Sequence, residues 1–201
     1  MSKHVKTLLI TAPFIALLVA ALLVYNALHE EHAPDSIVVL TDGPTDIVPT
    51  PASDISDTPA AIRETIPDFT LLDADGNTRQ ISEFFDKPII LNFWATWCPS
   101  CVWETPYFDA LYQDHGGDVH VMKVNLSDDQ RETREVVERF MDENGYSLPL
   151  YFDVNGAAAF GVRGIPITYF IEAGGYPVVI GQGPLNAAAL QQGLEMILGG
   201  A

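Results

Sequence analysis

Cys98 and Cys101 are the only two cysteines of this 201-residue chain, and only Pro99 and Ser100 separate them. A pair of cysteines at this spacing, placed between a strand and a helix, predicts a thiol–disulfide redox site. A separation of three residues puts both side chains on one face of a helix. Cys101 is then within reach of a mixed disulfide that Cys98 has formed with another molecule, and can resolve it.

The elements on either side of the motif predict which sulfur attacks. Ile89–Trp94 is a short apolar and aromatic run typical of a buried strand, and residues 102–112 are predicted to be helical. Cys98 is thereby expected at the N-cap and Pro99 at the first helical position, where its missing N–H is harmless. The free N–H groups of the first turn and the helix dipole stabilise a thiolate there. We therefore expect a lowered pKa for the Cys98 thiol, which makes it the nucleophile.

Glu104 lies three residues after Cys101, one turn further along the same face of the predicted helix. The spacing alone leaves two interpretations open. Glu104 is either an exposed glutamate favoured by the helix dipole, or a carboxyl group that raises thiol pKa values and moves protons during exchange.

Two further positions near the motif have predictable surroundings. Pro166 precedes a predicted strand over residues 168–171, and a proline is excluded from the middle of a paired strand, so we place it at the start of that strand. Trp97, beside Cys98, is expected to be an exposed flat surface for docking, whereas Trp94 is expected in the core.

Residues 66–201 are about the size of one domain. The turn at residues 73–76 separates two short runs and predicts an N-terminal β-hairpin. The pattern Ser-Asp-Asp-Gln at residues 127–130 predicts a capping box that opens a helix ending near Glu143. A last helix is expected from Asn186 to just before Gly199. Strand–helix–strand units followed by a hairpin imply an α/β fold with a mixed central sheet flanked by helices.

The region before this domain divides into three parts. Residues 8–28 carry no charge and are long enough to cross a bilayer, with Lys3 and Lys6 before them and acidic residues after them. A cleaved signal peptide is the competing interpretation, but Tyr25 stands where a cleavage site needs a small residue. We expect a cytoplasmic N-terminus (residues 1–7), an uncleaved single-pass anchor (8–28) and an unstructured, acidic, proline-rich linker (29–65).

Charge and composition exclude some partners. The formal net charge is −17 and the sequence pI is about 4.3, which argues against binding to nucleic acid. With two cysteines and no repeated Cys/His pattern, no structural zinc and no other metal site is expected. We expect no cofactor other than a redox-active disulfide between Cys98 and Cys101.

Three features together resemble the thioredoxin superfamily: the block Trp-Ala-Thr-Trp-Cys-Pro-Ser-Cys at residues 94–101, Pro106 inside the following helix, and Gly-Ile-Pro at residues 164–166. Within that superfamily the chain is similar to the membrane-anchored, extracytoplasmic TlpA/ResA/CcmG group over residues 66–198. The resemblance implies a thioredoxin-like fold and thiol:disulfide oxidoreductase activity. It also implies a cis peptide bond before Pro166, facing the cysteines, and substrate contacts from Trp97, Pro99, Ile165 and Pro166.

The same resemblance assigns roles to two polar residues. In ResA-like proteins a glutamate at the position of Glu104 lies near the cysteines and tunes their proton chemistry, which favours the functional interpretation of Glu104. Asn92 stands where thioredoxin itself has a buried aspartate that relays protons. Because an amide cannot relay a proton in that way, Glu104 is the remaining carboxyl candidate and a cytosolic thioredoxin role is disfavoured.

The resemblance implies a reductant of client disulfides, of the cytochrome c maturation type or the oxidase copper-site assembly type. It implies a membrane thiol transporter of the CcdA/DsbD type as electron donor, and a bacterial inner membrane location with the C-terminal domain periplasmic or extracytoplasmic. A DsbA-like oxidant and a non-enzymatic copper-binding assembly chaperone are the alternatives. A peroxiredoxin is disfavoured because Ala95 and Leu91 stand where its motif needs threonine and proline.

Overall fold

A computed structural model describes residues 37–39, 64–128 and 130–199 of the chain. Its strands are β1 (Ile37–Val39), β2 (Thr70–Asp73), β3 (Thr78–Gln80), β4 (Ile89–Trp94), β5 (His120–Asn125), β6 (Leu150–Asp153), β7 (Ile167–Glu172) and β8 (Tyr176–Gln182). Its helices are α1 (Pro99–His115), α2 (Arg134–Asn144), α3 (Gly156–Ala159) and α4 (Ala187–Leu198), with a 3₁₀ turn at Ile81–Phe84.

The strands form one mixed sheet in the order β1-β8-β7-β4-β5-β6-β2-β3. β4 is parallel to β5, and β5 to β6, whereas β7 runs antiparallel to β4 and β8 antiparallel to β7. β2 and β3 pair antiparallel across the turn that follows Asp73. The α/β fold with a mixed central sheet and flanking helices is thus confirmed. All six residues of β4 are buried, so the strand that leads to the cysteines runs through the middle of the core.

Alternate residues of β4 face two separate hydrophobic layers. Ile90 and Trp94 belong to a cluster that also contains buried residues of α1, α2 and α4. Ile89, Leu91 and Phe93 belong to a second cluster on the other face of the sheet. Alternation of this kind is the period of two expected for a strand buried on both faces. The apolar pattern of the strand therefore fixes its orientation, and Asn92 must share the face covered by α1.

The helix predicted to open at Ser127 begins later. α2 has Thr133 as its N-cap, so the predicted capping box is wrong, although the helix ends close to the predicted residue. The Asp128 carboxylate accepts hydrogen bonds from the backbone N–H groups of Gln130 and Glu132, each at 3.0 Å. An aspartate that binds backbone N–H groups just after itself favours a turn over a helical start.

Part of the predicted linker has regular structure. Ile37–Val39 forms β1, an edge strand paired antiparallel with β8 in the register Val38 opposite Ile180. The expectation that residues 29–65 lack structure is therefore wrong for these three residues. The predicted N-terminus and anchor, residues 1–28, lie outside the described residues. Among the residues that are described, no helix is both long and apolar enough to span a bilayer.

Candidate redox site

Cys98 and Cys101 form a disulfide at the start of α1, with 5.3 Å between their Cα atoms. Cys98 is the N-cap, and its Sγ accepts a hydrogen bond from the Cys101 backbone N–H at 3.3 Å. Pro99 is at the start of the helix, as predicted. Cys98 is 6% exposed and Cys101 0%. The two sulfurs therefore differ in access, and a partner molecule approaching from solvent meets Cys98 first.

The peptide bond between Ile165 and Pro166 is cis, as the resemblance implies. It lies opposite the cysteines, since the Ile165 carbonyl oxygen is 3.8 Å from Cys98 Sγ. Pro166 is buried and Ile165 partly exposed. β7 starts at the next residue, so the proline does stand at the start of that strand. The structure thus brings Cys98, Ile165 and Pro166 together at one edge of the fold.

Aromatic side chains border this edge. Trp97 is 44% exposed and Trp94 is fully buried, both as predicted. The Arg131 guanidinium carbon stands 4.2 Å from the centroid of the Trp97 ring, a cation–π contact on the surface beside Cys98. Trp103, further along α1, is 38% exposed and packs edge-on against Tyr107. The exposed indole of Trp97 therefore stands next to the accessible sulfur.

Glu104 is completely buried, so its interpretation as an exposed first-turn glutamate is wrong. Its Oε1 accepts hydrogen bonds from Asn92 Nδ2 at 2.9 Å and from Lys123 Nζ at 3.4 Å. Its Oε2 accepts one from the Leu185 backbone N–H at 3.0 Å. Burial raises the pKa of the Glu104 carboxyl group, and the Lys123 charge and the hydrogen bonds only partly offset this. A carboxyl group shifted in this direction moves toward the range useful for proton transfer near neutral pH.

Lys123 is a residue that the sequence interpretation missed. It lies on β5 and is 2% exposed. Its Nζ faces the rings of Phe108 and Trp94, at 4.5 and 5.0 Å from their centroids. Burial lowers its pKa to about 8, against the opposing effect of the Glu104 carboxylate. The available signal was a single lysine between Met122 and Val124 in an otherwise apolar strand.

Asn92 connects the buried pair to the sheet. Its Nδ2 donates to Glu104 and, at 3.0 Å, to Thr168 Oγ1 on the neighbouring strand. Asn92 and Thr168 are opposite each other in the β4–β7 register. The amide at this position therefore does not relay a proton itself. Its hydrogen bond holds the carboxyl group of Glu104, which belongs to α1, against β4.

No group of three histidine, cysteine, aspartate or glutamate side chains able to hold a metal occurs among residues 64–128 and 130–199. The same part of the chain holds one disulfide, between Cys98 and Cys101.

Comparison with known proteins places these features in context. The model of the AhpC/TSA family matches residues 62–176. The thiol-disulfide oxidoreductase ResA of Geobacillus thermodenitrificans is 33% identical over 145 residues, which are 70% of this chain and 80% of that protein. The crystal structure of StoA from Bacillus subtilis aligns with a TM-score of 0.56 at 27% identity, covering 65% of this chain and 98% of StoA. The exposed lipoprotein thioredoxin Etrx1 of Streptococcus pneumoniae aligns with a TM-score of 0.55 at 29% identity, covering 64% of this chain and 98% of that one.

Proposed function

The chain belongs to the AhpC/TSA family and is a thiol-disulfide oxidoreductase of the ResA type, and on that basis we propose that it reduces disulfides of client proteins outside the cytoplasmic membrane. The observation that carries the proposal is the asymmetry of the two sulfurs. Cys98 caps α1 at the surface, beside the Ile165 carbonyl and Trp97, whereas Cys101 is enclosed. This arrangement suits a dithiol whose outer sulfur attacks and whose inner sulfur resolves.

The proposed cycle begins from the reduced dithiol. The Cys98 thiolate attacks one sulfur of a client disulfide, the client S–S bond breaks, and the departing client thiolate takes up a proton. Cys101, deprotonated, then attacks Cys98 Sγ in the mixed disulfide and releases the second client thiolate. The protein is left with the Cys98–Cys101 disulfide, and two electrons have passed to the client. A reductant must return two electrons before the next cycle.

Glu104 is the proposed proton acceptor for Cys101. It lies one helical turn after Cys101 on α1 and is buried with it. Its raised pKa, caused by burial, lets it take a proton near neutral pH, and Lys123 stabilises the ionised form. Trp97, Pro99, Ile165 and Pro166 are the proposed client contacts.

We expect Glu104→Gln to shift the titration of the cysteine thiols to lower pH. The substitution removes a negative charge that opposes thiolate formation nearby, so the thiolate forms more easily. The rate of alkylation of the reduced protein, measured against pH, reports this titration. Glu143→Gln makes the same charge change at an exposed position of α2 and serves as the control. A profile of Glu104→Gln that coincides with the wild type would return Glu104 to a purely structural role.

The direction of electron flow is tested by the reduction potential. We expect the full-length protein, equilibrated in dithiothreitol redox buffers, to have a potential near that of thioredoxin, about −270 mV. A potential near that of a DsbA-type oxidant, about −120 mV, would contradict the proposed direction and support the oxidant alternative.

Location and partners complete the proposal. Residues 8–28 would anchor the chain in a bacterial inner membrane as a single pass, and residues 66–201 would lie on the periplasmic or extracytoplasmic side. Positive residues before the apolar segment and acidic residues after it support this orientation. The proposed clients are apocytochrome c or copper-site assembly proteins, and the proposed donor is a membrane thiol transporter of the CcdA/DsbD type. Disulfides persist in that compartment, where a dedicated reductant has a use.

A further inference from the structure

Glu132 is a buried carboxyl group that is hydrogen-bonded to Thr96, two residues before Cys98, and the cycle above does not use it. It is 0% exposed. Its Oε1 accepts hydrogen bonds from the Thr96 backbone N–H at 2.6 Å and from Asn125 Nδ2 at 2.7 Å. Its Oε2 accepts one from the Thr96 hydroxyl, also at 2.6 Å. Three donors therefore converge on one side chain, and two of them belong to the turn that precedes Cys98.

The segment that carries Glu132 is itself held in place. Asp128 accepts hydrogen bonds from the backbone N–H groups of Gln130 and Glu132, and its own N–H donates to the Glu132 carbonyl at 3.1 Å. Arg131, between those two residues, covers the exposed ring of Trp97. Glu132 therefore binds Thr96 from the inside of the fold, while Arg131 contacts Trp97, the next residue of the same turn, at the surface.

The turn connects β4 to α1 and places the attacking sulfur. Thr96 follows the end of β4 by two residues, and the Cys98 N–H donates to the Ala95 carbonyl at 3.3 Å to close the turn. The position of Cys98 as N-cap depends on this turn, because the cap is where the turn and the helix meet. Without Glu132, the Thr96 N–H and hydroxyl lose their acceptor, and the turn gains freedom.

We propose that Glu132 is a positioning residue that holds the turn before Cys98 and thereby stabilises the Cys98–Cys101 disulfide relative to the dithiol. The proposal rests on the proposed function of this pair as the redox centre. Disulfide formation within a protein is favoured by the effective concentration of one thiol at the other, which falls when either becomes mobile. Ordering the backbone of one residue is worth about a factor of ten in an equilibrium constant.

The chain offers a rescue variant and a matched control. In Glu132→Gln the amide oxygen can still accept from the Thr96 N–H and Asn125, while the amide nitrogen can donate to the Thr96 hydroxyl, so the contacts survive without the charge. Asp109 is the control, because it is also buried and accepts from the Ser147 N–H (2.6 Å), the Ser147 hydroxyl (3.2 Å) and the Leu148 N–H (3.1 Å). It holds a different segment.

We expect Glu132→Ala to move the thiol–disulfide equilibrium of the full-length protein about tenfold toward the dithiol, equivalent to about 30 mV. The equilibrium is measured in dithiothreitol redox buffers by the fraction of protein alkylated, under conditions where circular dichroism shows the folded state. Glu132→Gln and Asp109→Ala are expected to stay within about twofold of the wild type, because neither removes an acceptor from the turn. If Glu132→Ala does not fold, Thr96→Val, which removes only the hydroxyl donor, is expected to shift the equilibrium in the same direction by less.

Three results would overturn the proposal. The first is an unshifted equilibrium in Glu132→Ala, or in Thr96→Val where the alanine variant does not fold. The second is a shift in Glu132→Gln as large as in Glu132→Ala, which would assign the effect to charge, and the third is an equal shift in Asp109→Ala, which would assign it to a general loss of stability. A wild-type protein whose cysteines do not exchange with dithiothreitol would instead overturn the proposed function and this inference with it. The wild-type measurement therefore separates the two failures.

Discussion

Cys98→Ala is expected to abolish reduction of a model protein disulfide, leaving only the rate of the reductant in the assay. Cys98 is the sulfur with solvent access and the one that caps the helix, so no other thiol can start the exchange. Cys101→Ala is expected to stop the cycle one step later, because the first attack still occurs and nothing resolves the product. Turnover of insulin disulfides with dithiothreitol as electron donor measures the first effect, and the mass of a protein–client adduct measures the second.

Ser100→Ala is the control for both variants, since it changes an exposed side chain in the same turn without removing a sulfur. It is expected to keep most of the activity and to form no persistent adduct. Full turnover by Cys98→Ala would refute the proposed attack. Full turnover by Cys101→Ala, with no adduct, would show that resolution does not need the inner sulfur.

The features of the site that could be predicted from the sequence are those determined by residues close together in the chain. The apolar run of β4, the proline after Cys98 and the three-residue spacing all act within a few residues, so the strand, the cap and the helix face could be predicted from neighbours alone. The cis bond before Pro166 came from family resemblance, because local sequence permits both isomers.

The buried polar contacts of the site have a non-local cause. The buried charge of Lys123 is compensated by the opposite charge of Glu104, which lies 19 residues earlier on a different element. No periodicity in β5 predicts that contact. The link from Glu132 to Thr96 spans 36 residues. Asp128 also competes for backbone N–H groups that the capping-box pattern assigned to a helix. Residues of this kind are identified from the fold, by locating the charged side chains that are buried against the central sheet.

Asn92 shows how such contacts change an interpretation. From sequence, an amide at a position where thioredoxin has an aspartate indicates a lost proton relay. In the fold, the amide donates to Glu104, so the carboxyl group reaches the same buried region from the helix side. The charge has moved from the strand to α1, and the strand now supplies the hydrogen bond that orients it.

The buried pair of Glu104 and Lys123 yields the second large expected effect. We expect Lys123→Met to lower the free energy of unfolding at pH 7 by about 3 kcal/mol, because it leaves a buried carboxyl group without its cation. The double variant Glu104→Gln/Lys123→Met is expected to recover most of this loss. The glutamine oxygen can still accept from the Leu185 N–H, and its NH2 group can donate to Asn92 Oδ1 once the Asn92 amide turns over, so no charge is left in the core. Urea unfolding of each variant gives these energies.

An exposed ion pair in the same protein is the matched control. Arg79 and Glu83 are 2.7 Å apart, closer than the buried pair at 3.4 Å, but their side chains are 37% and 43% exposed. Arg79→Met is expected to cost far less stability than Lys123→Met, since solvent screens an exposed pair. A comparable loss for Arg79→Met and Lys123→Met would show that burial of the Glu104–Lys123 pair adds nothing to its contribution.

The buried Lys123 also makes the free energy of unfolding depend on pH, and its pKa gives the direction of that dependence. Burial lowers the pKa of Lys123 from 10.5 to about 8, so between these values the unfolded chain binds more protons than the folded one. Stability from this group is therefore complete above pH 10.5 and is lost as the pH falls through about 8. Between pH 8 and pH 10 the free energy of unfolding of the wild type, relative to Lys123→Met, should rise by about 2 kcal/mol. A difference that stays flat over this range would mean that the folded state keeps Lys123 charged throughout, and that the pair is a permanent ion pair instead of a site where a proton can leave the core.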